Sequence, residues 1–170
     1  LIVARMQADA ALLGQLFTHA ADLETARSAL SSREKLEVEM SMAAYIQRQL
    51  LPQEPPHVPG LDIFARCVPS LQVGGDFYHF YAHEGRPFVL TVGDVSGKGL
   101  AAAFLMAMAR SAINNAARFT PDIHPRAILS RLIEDFYDDL TDLGMFVTVF
   151  TTCYNAYSRR LSYANAGHSP

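Results

Sequence analysis

Val73-Gly74-Gly75-Asp76-Phe77-Tyr78 and Val92-Gly93-Asp94-Val95-Ser96-Gly97-Lys98-Gly99 are the two stretches that decide how this chain is read. Each sets an aspartate directly after glycine on a strand-like run, where the backbone can come close to whatever the carboxylate holds. Carboxylates are hard oxygen ligands that suit Mg²⁺ or Mn²⁺ far better than zinc or copper. A lone aspartate beside glycine is more often a turn former, because its side chain caps nearby backbone N–H groups. The pair is more specific: with Asp76 and Asp94 as carboxylate ligands and the Val95 backbone carbonyl as a further oxygen, a metal site and phosphoryl chemistry are the leading reading. An ordinary P-loop is excluded, since that motif needs G-x-x-x-x-G-K followed by Ser or Thr, and Gly99 follows Lys98 here.

Outward from these motifs, residues 76–81 and 86–94 read as two strands joined across His83-Glu84-Gly85, a hairpin that brings Asp76 and Asp94 to one sheet edge. Ahead of them, Leu61, Ile63, Ala65 and Cys67 alternate with Asp62, Phe64 and Arg66, the pattern of a further strand. Residues 100–119 are apolar around most of the circumference and predict a buried helix, with Phe104, Met106 and Met108 read as core. Pro121 ends that helix, Pro125 suits the first turn of another running to about residue 140, and Asp142-Leu143-Gly144 makes a turn. Residues 145–154 and 160–166 then give a β-rich hairpin. The order β-β-β-α-α-β-β predicts an α+β layered fold, an antiparallel sheet with helices on one face.

The N-terminal third has a different period. Leu13, Leu16, Ala20, Leu23 and Leu30 follow three-four spacing interrupted by Arg27, as in a short coiled coil. Leu36, Met40, Ala43 and Leu50 repeat the spacing, interrupted by Gln47 and out of phase by about one residue. Between the stripes, Ser31-Ser32-Arg33-Glu34 matches a capping box, so the segment is either two helices or one continuous helix with solvated serines. Leu51-Pro52-Gln53-Glu54-Pro55-Pro56 ends the helix, because proline lacks the N–H and restricts its predecessor. Residues 1–52 are thus expected to form a dimerising helical linker and residues 53–170 a globular domain.

With 170 residues, half of them apolar, the chain can bury one sizeable core. A net charge of −3 provides no basic surface for nucleic acid. Cys67 and Cys153 fit neither a metal-ligand spacing nor a disulfide scaffold, which points to a reducing, cytoplasmic setting. No apolar run is long enough to span a bilayer, although a membrane anchor upstream of Leu1 stays open. Starting without methionine and stopping without a terminating signal, the chain reads as a piece of a longer protein.

The two glycine-aspartate motifs, followed by Tyr163-Ala164-Asn165-Ala166-Gly167-His168, resemble those of SpoIIE/RsbU-type serine/threonine phosphatases, the bacterial branch of the metal-dependent PPM family. Ile46-Gln47-Arg48-Gln49-Leu50-Leu51-Pro52 resembles the linker helix that leads into such domains. The resemblance implies a partial PPM-like αββα sandwich behind a signalling helix, with two Mn²⁺ or Mg²⁺ ions that share carboxylates and activate a water for attack on phosphoserine or phosphothreonine. Asp76, Asp94 and the Val95 carbonyl carry over as metal ligands, the two aspartates being catalytic through that water. The implied partners are a phosphorylated STAS-domain regulator resembling an anti-anti-sigma factor, an upstream sensor and a second copy of the chain. Lys98 is a candidate for contacting phosphate from the helix N-terminus, with a solvated lysine as the alternative. His168 is expected to pack or hydrogen-bond in a turn. Two departures from the family pattern stand out: His79 occupies a position that is usually acidic and reads as a surface strand residue, and the family's later aspartate would lie beyond Pro170. They keep a rival reading in play, a non-catalytic phosphatase-like signalling or binding module.

Overall fold

The computed structural model describes residues 2–69 and 71–169, with side chains from residue 13 onward. Its contacts divide the chain into two units, Leu1–Met42 and Ala43–Pro170. Helix α1 (Ile2–Leu50) supplies all of the first unit and the opening two turns of the second.

In the first unit α1 runs unbroken through Ser31 and Ser32. The Ser32 hydroxyl donates to the Ser28 carbonyl at 3.0 Å, four residues back along the same helix, so the capping-box alternative is not the one adopted. Leu13, Leu16, Leu23 and Leu30 are all exposed, leaving the apolar seam uncovered in a single chain.

The second unit is an antiparallel sheet of four strands in the order β1-β2-β3-β4, with two helices inserted between β2 and β3. Its elements are β1 (Phe77–Tyr81), β2 (Phe88–Val95), α2 (Gly99–Phe119), α3 (Pro125–Asp142), β3 (Val147–Asn155) and β4 (Arg160–Ala166). The β1–β2 hairpin closes through Gly85, at φ 74°, with the Arg86 N–H donating to the His83 carbonyl. Residues 86 and 87 fall outside β2, because Pro87 has no N–H to give a ladder. Period-two alternation turns Phe77, Val89, Val95, Val149 and Cys153 inward, where they meet Ala102, Leu105, Met106, Ala109 and Ile113 of α2 and Ile128, Leu132 and Phe136 of α3. One polar row crosses this inner face: His79 pairs with Thr91 and Thr91 with Thr151, all buried, with the two threonine hydroxyls 2.7 Å apart.

Three expectations are corrected. Residues 61–67 form no strand: beyond an isolated Val58–Leu61 bridge they run without a ladder, so the observed element order is β-β-α-α-β-β. Leu61, Ile63, Ala65 and Cys67 are nonetheless less exposed than the residues between them; the alternation reflects one-sided burial rather than strand pairing. Phe104 and Met108 are not core, being 67% and 45% exposed, whereas Met106 is fully buried. Helical spacing explains the split, since the buried positions 102, 105, 106, 109 and 113 share one face and 104 and 108 fall on the other. His79 is not a surface residue either; at 3% exposure it belongs to the inner face of β1.

Candidate metal site

Asp76 stands one residue before β1, and Asp94 is the penultimate residue of β2, opposite Thr148 of β3. The Phe77–Gly93 pairing carries the two aspartates side by side at one end of the sheet. Glycine makes this approach possible. A Cβ at Gly93 would run into the Phe77 ring, and one at Gly75 would collide with the Val95 carbonyl oxygen. The Val95 N–H donates to the Gly75 carbonyl at 3.3 Å, which fastens the chain before Asp76 to the strand end after Asp94.

Both aspartates line a cavity of about 200 Å³, together with Gly74, Gly75, Gly97 and Lys98. A neighbouring cavity of about 400 Å³ shares Asp76 and reaches Arg66, Tyr78 and His168. Partial burial, followed by the charge of Asp76, raises the Asp94 carboxyl above its ordinary pKa, with His168 pulling the other way. Two carboxylates pressed together in this way favour a cation between them, and the oxygen-only donor set fits Mg²⁺ or Mn²⁺. It is a partial set: among the described residues no group of three or more His, Cys, Asp or Glu side chains gathers as for a metal ion. The Val95 carbonyl packs against Gly75, the residue before Asp76.

Lys98 is the extended residue (φ −147°) directly before α2, between Gly97 and Gly99, which both have positive φ. Lys98 itself lines the aspartate cavity, and it stands next to the first turn of α2, where unpaired N–H groups and the helix dipole favour anions. His168 behaves as a turn residue: its Nδ1 is 2.9 Å from the Thr148 hydroxyl, its N–H donates to Asn165 Oδ1, and its carbonyl accepts from Asn165 Nδ2. The Cys67 thiol lies 3.7 Å from the Asp76 carbonyl oxygen; burial and then the Asp76 charge raise its pKa, so it stays a protonated thiol.

Two residues take on parts that sequence reasoning did not give them. Gln47 is buried, and its amide pairs in both directions with the backbone of Gly74. His79 is buried with neither ring nitrogen hydrogen-bonded. The one available signal for Gln47 was a polar residue breaking an otherwise apolar helical stripe.

The sequence model of the family described as Stage II sporulation protein E (SpoIIE) matches residues 84–170, half of the chain. The chain belongs to the SpoIIE family. Among its relatives, the phosphoserine phosphatase RsbU of Bacillus subtilis (strain 168) is 34% identical over 138 residues, which cover 81% of this chain and 40% of RsbU. Protein IcfG of Synechocystis sp. is 27% identical over 157 residues, 78% of this chain and 25% of IcfG. The SpoIIE-family chain thus spans less than half the length of either relative. Of the solved structures, the SiaA-PP2C domain of Pseudomonas aeruginosa superposes with a TM-score of 0.66 at 24% identity, over 79% of this chain and 55% of that one. The RsbU and RsbW domains of Rv1364c from Mycobacterium tuberculosis give 0.50 at 26% identity, over 61% and 28%. The α+β unit described above is therefore a partial PPM-type fold preceded by a long N-terminal helix.

Proposed function

We propose that this SpoIIE-family chain is the catalytic domain of a bacterial signalling phosphatase that hydrolyses phosphoserine or phosphothreonine on a STAS-type regulator protein. The convergence of Asp76 and Asp94 at one sheet end carries the reading, and the 34% identity to a phosphoserine phosphatase supports it. Asp76, Asp94 and the Val95 carbonyl would hold Mn²⁺ or Mg²⁺, two ions in the complete centre. When bound, such ions lower the pKa of water and offset charge on phosphate oxygens. The chain's own residues do the rest. The glycine contacts fix the spacing of the carboxylates, and Lys98 with the N-terminus of α2 orients the phosphate. Residues 1–52, with their uncovered leucine seam, would pair two copies and link the domain to an upstream sensor; residues 53–170 would carry the chemistry.

The rival reading, a phosphatase-like binding module without turnover, is favoured by the partial ligand set among the described residues and by His79 at a position that is usually acidic in the resembled family. Phosphate release from a phosphoserine regulator by the native protein in Mn²⁺ decides between them. Turnover that disappears in Asp94→Asn supports the enzyme; absence of turnover in the native protein, with regulator binding intact, leaves the module.

A further inference from the structure

Three buried polar side-chain atoms beneath helix α2 have no hydrogen-bond partner among the described residues: both ring nitrogens of His79 and Nε of Arg110. They belong to one cluster. His79 is 3% exposed on the inner face of β1, the Arg110 guanidinium acts on it from α2, and Asn114 stands one turn further along the same helix. The Thr91 and Thr151 hydroxyls in the same row pair with each other at 2.7 Å, and neither bonds to the ring. Orphaned buried polar atoms are rare in folded proteins, and a bound ion or an ordered water is their usual explanation.

The charge balance favours an ion. Arginine keeps its charge under all ordinary conditions, and none of the ion pairs among the described residues includes Arg110. Burial lowers its pKa, the sign of a guanidinium partly withdrawn from water, and a charge so held is costly without a counter-ion. An acidic side chain, usual at position 79 in the resembled family, would meet Arg110 from β1; histidine, kept neutral at pH 7 by burial, brings no negative charge. What the cluster presents is donors: the Arg110 Nε–H and one imidazole N–H, with the Asn114 amide beside them. None of the groups acting on His79 is a carboxylate, so the set suits an anion and not a metal cation. β1 is an edge strand, and Arg110 and Asn114 are only half-buried, which gives solvent a route to the cluster between strand and helix.

We propose that Arg110 and His79 form an anion site beneath α2, which takes a small monovalent inorganic anion, chloride, as acceptor for Arg110 Nε and one His79 ring nitrogen. One negative charge balances the one guanidinium, since the imidazole is neutral. The ion thereby ties the edge strand β1 to α2. The site is separate from the aspartate pair, because His79, Arg110 and Asn114 line neither of the cavities that hold Asp76, and it stands or falls independently of the phosphatase reading.

A chloride titration at about pH 7.5 tests the site, with chloride replacing gluconate at constant ionic strength so that general screening does not change. In wild type the His79 ring nitrogens should move saturably in NMR spectra, and the unfolding constant should fall by about tenfold by about 200 mM chloride. Neither change should occur in Arg110→Gln, which removes the charge, or in His79→Asp, which sets a fixed carboxylate against Arg110; should the first variant not fold, the second carries the comparison. A wild type indifferent to chloride overturns the proposal and leaves ordered water as the partner of these atoms. A chloride dependence that persists undiminished in either variant also overturns it, by locating the anion elsewhere on the chain.

Discussion

His79, three residues past Asp76, sits on the inner face of β1 with both ring nitrogens unpartnered. Burial, and next the Arg110 guanidinium of α2, lower its pKa from 6.5 to about 4, against a smaller opposing pull from the nearby Asn114 side chain. The folded protein therefore keeps His79 neutral where the unfolded chain takes up a proton. Its stability contribution is complete above the unfolded pKa and is lost as the pH falls from about 6.5 towards 4, to a limit on the order of 3 kcal/mol. Urea unfolding midpoints between pH 7.5 and 4.5 should fall in wild type and fall much less in His79→Leu; parallel curves would refute this account. At this scale the glycine-aspartate motifs were legible because glycine and carboxylate are rare enough in strands to stand out. Gln47 and His79 were not. Gln47 finds its partner 27 positions away in the backbone of Gly74, and the burial of His79 depends on helix α2 packing over β1.

Among the elements, α2 is the one whose reading changed most. A run of apolar residues suggested burial around most of the helix, yet only the face through Ala102, Met106, Ala109 and Ile113 meets the sheet, while Phe104 is two-thirds exposed. Ile113→Ala should cost about 2–4 kcal/mol by leaving a cavity, and Phe104→Ala should stay within about 0.5 kcal/mol of wild type. Chemical denaturation checks both, and equal losses would mean that the core face is misassigned. Where helix and strand boundaries were right, local chemistry set them: Pro125 occupies the first turn of α3, and Gly144, at φ 62°, follows its end. Where a strand was expected at residues 61–67, the alternation was real but gave no information about a hydrogen-bonding neighbour, which only the assembled sheet supplies.

At the scale of the whole molecule, α1 and the α+β unit carry different sequence periods, and each is visible in the sequence pattern alone. What the pattern did not give is the division of α1 itself, whose last two turns pack with the sheet unit while Leu1–Met42 form the other. The exposed leucines of that first unit lead to a definite expectation. Sedimentation equilibrium should find a dimer, and Leu16→Glu combined with Leu23→Glu should halve its mass without altering the far-ultraviolet signature of the sheet. A monomeric wild type would remove the basis for pairing through this helix.

The central claim is that Asp76 and Asp94 together hold a divalent cation in a phosphatase centre, and titration calorimetry with Mn²⁺ on the native protein tests it most directly. The account predicts saturable binding that Asp94→Asn and Asp76→Asn each weaken by at least about a hundredfold while both variants stay folded. Affinity unchanged in either variant would contradict it.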